Sequence, residues 1–379
     1  MTRAGRRELR LEGAVRTLLA PAGIELGGSQ PHDIRVLDDR FYTIGLRDGL
    51  TGIRDAFVEG WWETDRLDDV TYRMLMSDAS AIPYASRLTL AANTVIGRIT
   101  NLQSVRKANQ ARAHYDLGDD LFAAMLDRRR IYSCAYWAKA ATLDEAQEAK
   151  LDLVCRKLQL QPGMRVLDIG CGWGGFARYA AERYGVSVVA LTVSRDQARL
   201  AAESCAQLPV EIRLADYRTL ANDKFDAIAS IGMFEHVGWR NYGLFMKLAA
   251  SLLQPGGLFL LQTIGGNLSR TSYDPWLSRH IFPNAHIPSA RQITAAAEGL
   301  LLLEDWHNFG PDYDRTLMAW YANFERAWPS LRGRYGERFR SMWNCYLLTC
   351  AGSFRARLNQ LWQIVFATPG REGVYESVR

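Results

Sequence analysis

The chain has 379 residues, 46 of them Lys or Arg and 41 Asp or Glu, giving a formal net charge of +5. At roughly 100–200 residues per domain this suffices for two domains, or one large domain with an appendage. A hydrophobic fraction of 48% with 23% charged residues excludes a disordered, collagenous or heptad-dominated chain. The charge is too small for a dedicated nucleic-acid binder, so none is expected as a partner, but it is compatible with attraction to an anionic membrane surface. No run approaches the roughly 18 apolar residues of a spanning helix, and the opening MTRAGRRELRLEGAV has no apolar signal core, so a cytoplasmic location is expected. The six cysteines, Cys134, Cys155, Cys171, Cys205, Cys345 and Cys350, include no CxxC pair. They read as reduced thiols rather than a zinc ribbon or a disulfide framework.

Residues 1–97 carry short apolar runs separated by Gly and Asp, with the aromatic stretch FVEGWWETDRLDD at 57–69, and predict a smaller, mainly helical N-terminal domain. Trp61, Trp62 and the basic residues of the opening suit a bilayer interface; they suit a core or a dimer contact equally well. Residues 98–117 are polar and basic without apolar periodicity, as a linker is, and 118–379 form the second domain. There TLDE at 142–145 is a capping box, and Ala146, Ala149, Leu153 and Val154 continue it at helical spacing. Strand-like MRVLDI (164–169), VSVVALTV (186–193), FDAIASIGM (225–233) and GLFLLQTI (257–264) alternate with helix-like segments, which predicts a parallel sheet covered by helices. EIRLADY (211–217) is a candidate third strand. Two amphipathic helices follow, one with Leu317, Trp320, Tyr321, Phe324 and Trp328 on a face, the other with Phe339, Met342, Trp343, Tyr346 and Cys350.

VLDIGCGWGG (166–175) places Gly170, Gly172 and Gly175 in GxGxxG spacing directly after a strand and before a helix, the context of a nucleotide-type site. A dinucleotide fold wants an acid about 20 residues on, and ALTVS (190–194) has none. Asp168 instead precedes the first Gly, the DxGxG form of S-adenosylmethionine enzymes, and LQPGG (253–257) resembles a late methyltransferase motif. The expected fold is therefore α/β, a Rossmann-like class I S-adenosylmethionine-dependent methyltransferase with a mostly parallel sheet. Asp168, Gly170, Cys171, Gly172 and Gly174 form the cofactor loop. Thr192, Ser194 and Gln197 would meet the ribose or the methionine end, and Asp216 and Tyr217 the adenine. Ser194 has equally the chemistry of a helix N-cap.

HYDLGDDLF (114–122), YSCAYW (132–137), VLDIGCGWGG, GMFEHVG (232–238), IFPN (281–284), EDWHNFG with the DYD that ends at Asp314, LMAWY (317–321) and CAGSFRAR (350–357) together resemble the bacterial cyclopropane-fatty-acyl-phospholipid synthases, whose family includes the mycolic acid cyclopropane synthases. The resemblance runs from near the N-terminus to about residue 366, and GWWETDRLD (60–68) is similar to the phospholipid type. It implies S-adenosylmethionine as cofactor, with Tyr132 and Ser133 added to its binders. It also implies a membrane phospholipid with unsaturated acyl chains as substrate, peripheral membrane association and a homodimer. Methyl transfer to a cis double bond leaves a carbocation that must be kept from water, and aromatic faces stabilise a nearby cation by roughly 0.5–2 kcal/mol each. Tyr132, Tyr136, Trp137, Phe234, Tyr313 and Tyr321 fall in or near the signatures, although core packing explains any single one. The resemblance further implies a bound bicarbonate as base, held by Cys134, Glu235, the Ile264 backbone and Tyr313. Gln262 stands where the family has His; an amide can donate to bicarbonate but cannot relay a proton. Cys350 matches a family cysteine assigned as catalytic, while its place on an apolar helix face equally suits an inert thiol. Competing readings are branching of the same double bond, an O- or N-methyltransferase for a small polar substrate, and a non-catalytic lipid-surface protein.

Overall fold

The computed structural model describes residues 3–77, 118–220, 223–271 and 273–379; the expected linker at 98–117 lies outside the described residues. The chain divides into two compact units. One draws on Met1–Thr100, Ser272–Phe282 and Leu317–Leu358, the other on Asn101–Thr271, Pro283–Thr316 and Asn359–Arg379. The single boundary read from the sequence is thus replaced by an interleaved arrangement, in which two later segments group with the N-terminal helices.

The helical unit contains the helices Arg3–Leu19, Arg40–Val58 and Leu67–Met76 and a short antiparallel pair, β1 (Arg35–Val36) and β2 (Trp62–Glu63), with β2 packed on Arg40–Val58. Trp62 is core: it is 1% exposed, packs against Phe41 and Phe57, and donates its indole N–H to the Ile53 carbonyl. Trp61 is half-buried, with the Arg40 guanidinium over its ring. The helix Glu337–Arg355 packs on Leu67–Met76 and on Arg40–Val58. Gly352 sets how closely, because a Cβ there would run into the backbone of Asp68 and Tyr72. Asp68, 1% exposed, is held by Arg66 and Arg355 at 2.9 and 2.8 Å, and Arg54 meets Asp274 through two hydrogen bonds of 3.0 and 2.7 Å.

In the other unit, seven strands form one sheet in the order β5-β4-β3-β6-β7-β9-β8. These are β3 (Arg165–Ile169), β4 (Ser187–Thr192), β5 (Val210–Leu214), β6 (Phe225–Ile231), β7 (Leu253–Gly266), β8 (Leu302–Asn308) and β9 (Asn359–Ala367). The first five run parallel; β9 is antiparallel to both β7 and β8. All five strands foreseen in the sequence are present, while β8 and β9 were not foreseen. Alternate residues feed two cores. Val166, Val188, Ala190, Ala227 and Leu260 meet the helices Leu143–Lys157 and Gly175–Tyr184, whereas Leu167, Val189, Ile228 and Phe259 meet Tyr242–Leu252 and Ala290–Ala297. Burial of each Val, Leu, Ile or Phe among them contributes about 1.5–3 kcal/mol. The capping box is realised: Thr142 accepts from the Glu145 amide, and the Glu145 carboxylate accepts from the Thr142 amide. Of its expected apolar face, Ala146, Leu153 and Val154 are buried, but Ala149 is only half-buried and Lys150 takes a buried place instead. The helix expected around Leu317 begins earlier, at Pro311, where Pro is favoured because its missing N–H would be unpaired in any case.

Candidate active site

In an open parallel sheet, ligands gather beyond the carboxyl ends of the strands, and there the structure has a cavity. The end of β3 supplies Asp168, and the loop after it Gly170, Cys171, Gly172 and Trp173; the end of β4 supplies Thr192, and the start of the helix that follows Ser194 and Gln197; the segment after β5 supplies Asp216 and Tyr217; the segment after β6 supplies Gly232 and Met233; and the segment before the capped helix supplies Tyr132 and Ser133. Eleven of the twelve residues expected at the cofactor therefore line one cavity. Gly174 does not: it caps the next helix and faces Ala201 and Cys205. Gly170 adopts φ +89°, and a Cβ there would press on Met233, so only Gly fits.

Several expected contacts are already engaged within the protein. Ser194 is an N-cap, accepting from the Gln197 amide, and the Thr192 hydroxyl donates to Gln197 Oε1 at 2.8 Å. The Asp216 carboxylate is paired with Arg218 at 2.6 Å, which holds it below its ordinary range despite burial. Asp168 differs: it is 1% exposed, neither carboxylate oxygen has a hydrogen-bond partner among the described residues, and burial pushes it up to about 7. Sequence reasoning missed Lys150, which is fully buried, lines the same cavity and donates to Ser133 Oγ at 2.9 Å. The available signal was a charged residue inside the apolar stripe that Ala146, Leu153 and Val154 define. Arg130, Trp173 and His236 also line the cavity; burial lowers the His236 imidazole to about 4 and keeps it neutral.

Beside the cavity, Cys134, Phe309 and Leu361 form a small apolar cluster with Tyr136, Ile264 and Tyr313 packed against it. Glu235, in the short turn Phe234–His236 after β6, accepts the Ile264 amide on Oε1 at 2.7 Å, while its Oε2 is buried without a partner among the described residues. Desolvation pushes this carboxyl up to about 7. Gln262 on β7 is 1% exposed, directs its Nε2 to the Cys134 carbonyl at 3.5 Å and accepts from Gln363 Nε2 at 2.9 Å. Five of the six expected catalytic residues, Cys134, Glu235, Gln262, Ile264 and Tyr313, thus come together. Cys350 lies instead in the helical unit, beside Arg54 and Asp274, with its thiol pushed up to about 12 by burial. The aromatic residues separate similarly. Tyr136 and Tyr313 join the cluster and Tyr132 lines the cavity, whereas Trp137 is buried with its indole N–H on Thr316, Phe234 is core stacked on Tyr242, and Tyr321 belongs to the helical unit.

The strand order, the antiparallel β9 and the Gly-rich loop at the carboxyl edge define the class I S-adenosylmethionine-dependent methyltransferase fold. The solved structure of the cyclopropane synthase MmaA2 from Mycobacterium tuberculosis superposes with a TM-score of 0.64 at 34% identity, covering 69% of this chain and 98% of that one. A crystal structure of the mycolic acid cyclopropane synthase CmaA1 complexed with SAH and CTAB gives 0.63 at 34% identity, with the same coverage. The model of the mycolic acid cyclopropane synthetase family matches residues 102–364, and the chain belongs to that family. Over nearly its whole length it is also similar to a cyclopropane-fatty-acyl-phospholipid synthase of Escherichia coli K12, at 49% identity over 359 residues, 94% of this chain and 93% of the relative.

Proposed function

We propose that this protein is a cyclopropane-fatty-acyl-phospholipid synthase, adding a methylene group from S-adenosylmethionine to the cis double bond of acyl chains in membrane phospholipid. The observation that carries this reading is the juxtaposition of a carboxyl-edge cavity, lined by Asp168, Gly170 and Gly172, with a dry cluster around Cys134, Tyr136, Phe309 and Tyr313 and the half-partnered carboxyl of Glu235. Similarity to the phospholipid synthase over 94% of the chain, including the N-terminal region outside the 102–364 family match, favours phospholipid as substrate.

S-adenosylmethionine, held by the residues that line the cavity, supplies an electrophilic methyl group. The apolar cluster keeps water from the cation that forms on the acyl chain, and the ring faces of Tyr136 and Tyr313 offer it electron density. Ring closure needs a base for one methyl proton, and we assign that role to bicarbonate beside Glu235. The donors present fit an anion. Gln262 offers Nε2, and Glu235, neutral below about 7, can donate from Oε2, whereas ionised it would repel the ion. The Ile264 amide, expected to hold bicarbonate directly, is occupied by Glu235, so its part is to fix that carboxyl. Docking on the inner face of the membrane and pairing of two copies belong to the same reading; half-buried Trp61 beside Arg40 is a suitable interfacial group.

Incubating the protein and S-adenosylmethionine with vesicles of cis-unsaturated anionic phospholipid should add one methylene per converted chain and abolish the alkene, read by mass spectrometry and a chemical test for double bonds. A gain in mass with the alkene retained would move the product to a methyl or methylene branch.

A further inference from the structure

The Gly-rich side of the cavity contains a charged pair that the fold alone does not require. The helix Leu143–Lys157 brings Gln147 and Lys150, three residues apart and therefore on one face, against the segment that precedes Cys134, and both are fully buried. Gln147 fixes that segment through its backbone, donating to the Ser133 carbonyl at 2.8 Å. Lys150 reaches the side chain instead: its Nζ donates to Ser133 Oγ at 2.9 Å. An ammonium has three N–H donors, and this contact uses one. Since Ser133 Oγ accepts from Lys150, its own proton is left to donate outward. Lys150, Ser133 and Asp168 all line the cavity, and Asp168 contributes two carboxylate oxygens with no partner among the described residues.

We propose that Lys150, together with the Ser133 hydroxyl, binds the carboxylate of the amino-acid end of the cofactor, with the opposite charge of Asp168 nearby to balance its ammonium. This rests on the reading that the cavity takes S-adenosylmethionine. Burying an ammonium and a carboxylate is costly unless their remaining hydrogen-bonding capacity is filled, and a zwitterion fills both at once. At the adenosine side the polar groups are engaged with one another, Thr192 with Gln197 and Asp216 with Arg218. The unfilled hydrogen-bonding capacity lies at Lys150 and Asp168. Desolvation lowers Lys150 to about 8 and raises Asp168 to about 7, although Asp127 and Asp168 act on the ammonium and Lys150 on the carboxylate, so the attraction between these groups does not make good the cost of their burial. The alternative is that Lys150 merely props Ser133, in which case it would act on every ligand of the cavity alike.

Calorimetric binding to the full-length protein separates the two, using S-adenosylhomocysteine, its analogue lacking only the carboxylate, and 5′-methylthioadenosine, which lacks the whole amino-acid end. A charge-assisted contact predicts that the wild type loses about tenfold or more in affinity when the carboxylate is removed. Lys150→Met should weaken S-adenosylhomocysteine by a similar factor while leaving the decarboxylated analogue and 5′-methylthioadenosine within about twofold. Equal weakening of all three ligands, or undiminished binding of S-adenosylhomocysteine, would overturn the proposal. If Lys150→Met does not fold, the wild-type comparison still decides, because equal affinity for the acid and its decarboxylated analogue excludes a carboxylate site. Failure of the wild type to bind any of the three would overturn the cofactor reading itself, and this proposal with it.

Discussion

Glu235 is a carboxyl whose protonation the fold has moved from 4.5 to about 7 by burial, against backbone hydrogen bonding from Ile264 and from its own amide and a contribution from the Thr263 side chain. A carboxyl raised in the folded state contributes stability that is fully present below its unfolded value and lost as pH climbs through the folded one. Glu235→Gln removes that dependence. The variant should therefore gain on the wild type between about pH 4.5 and 7, by up to about 3 kcal/mol, as thermal melts at pH 5 and pH 8 would read, while turnover falls by about a hundredfold or more. Equal pH dependence of melting in the two proteins would show that Glu235 is not the group being titrated. Gln262 gives a second case. Held between the Cys134 carbonyl and Gln363, it cannot change charge near neutral pH, so Gln262→His should add a titration to the pH–rate profile between about pH 5 and 8; an unchanged profile would deny the position a special role. The Glu235, Gln262, Ile264, Cys134 and Tyr313 constellation was legible because the signatures are short and specific. The engagement of Asp216 by Arg218, the N-cap role of Ser194 and the burial of Lys150 were not, since each depends on which neighbour wins a hydrogen bond in three dimensions.

Among the elements, the five parallel strands announced themselves through continuous apolar runs bounded by Gly and Asp, as doubly covered strands do. β8 did not, because it is an edge strand whose residues are mostly exposed or half-buried, and β9 was hidden by Gln360 and Gln363 within its apolar run, both of them buried. The terminal helices were legible as helices, but an amphipathic stripe does not say which partner it meets. That partner is specified by close approach, most sharply at Gly352 against the helix Leu67–Met76. Gly352→Ala must push two helices apart or distort one, so it should destabilise the helical unit by about 1–3 kcal/mol, read from denaturant midpoints; wild-type stability would mean that the interface can give at no cost.

For the whole molecule, the interleaved grouping bears on the readings that compete. A small-substrate methyltransferase carrying a dispensable N-terminal appendage would tolerate removal of residues 1–97. Here that deletion strips Leu67–Met76 and Arg40–Val58 from Glu337–Arg355, leaving the apolar face around Trp343 and Tyr346, each no more than 3% exposed, without its cover. Such a face drives association, so the truncated chain should aggregate on size-exclusion chromatography; a monodisperse, active fragment would favour the dispensable-appendage reading. Family membership, the conjunction of the Asp168 cavity with the Glu235 cluster, and similarity along nearly the full chain all point to one reaction, and the fate of the transferred carbon decides it. With S-adenosylmethionine labelled by deuterium in its methyl group, cyclopropanation of vesicle phospholipid must lose one deuteron from each methyl as the ring closes, keep the others, and erase the alkene. A product that retains the intact labelled methyl, or that is still unsaturated, would contradict the account.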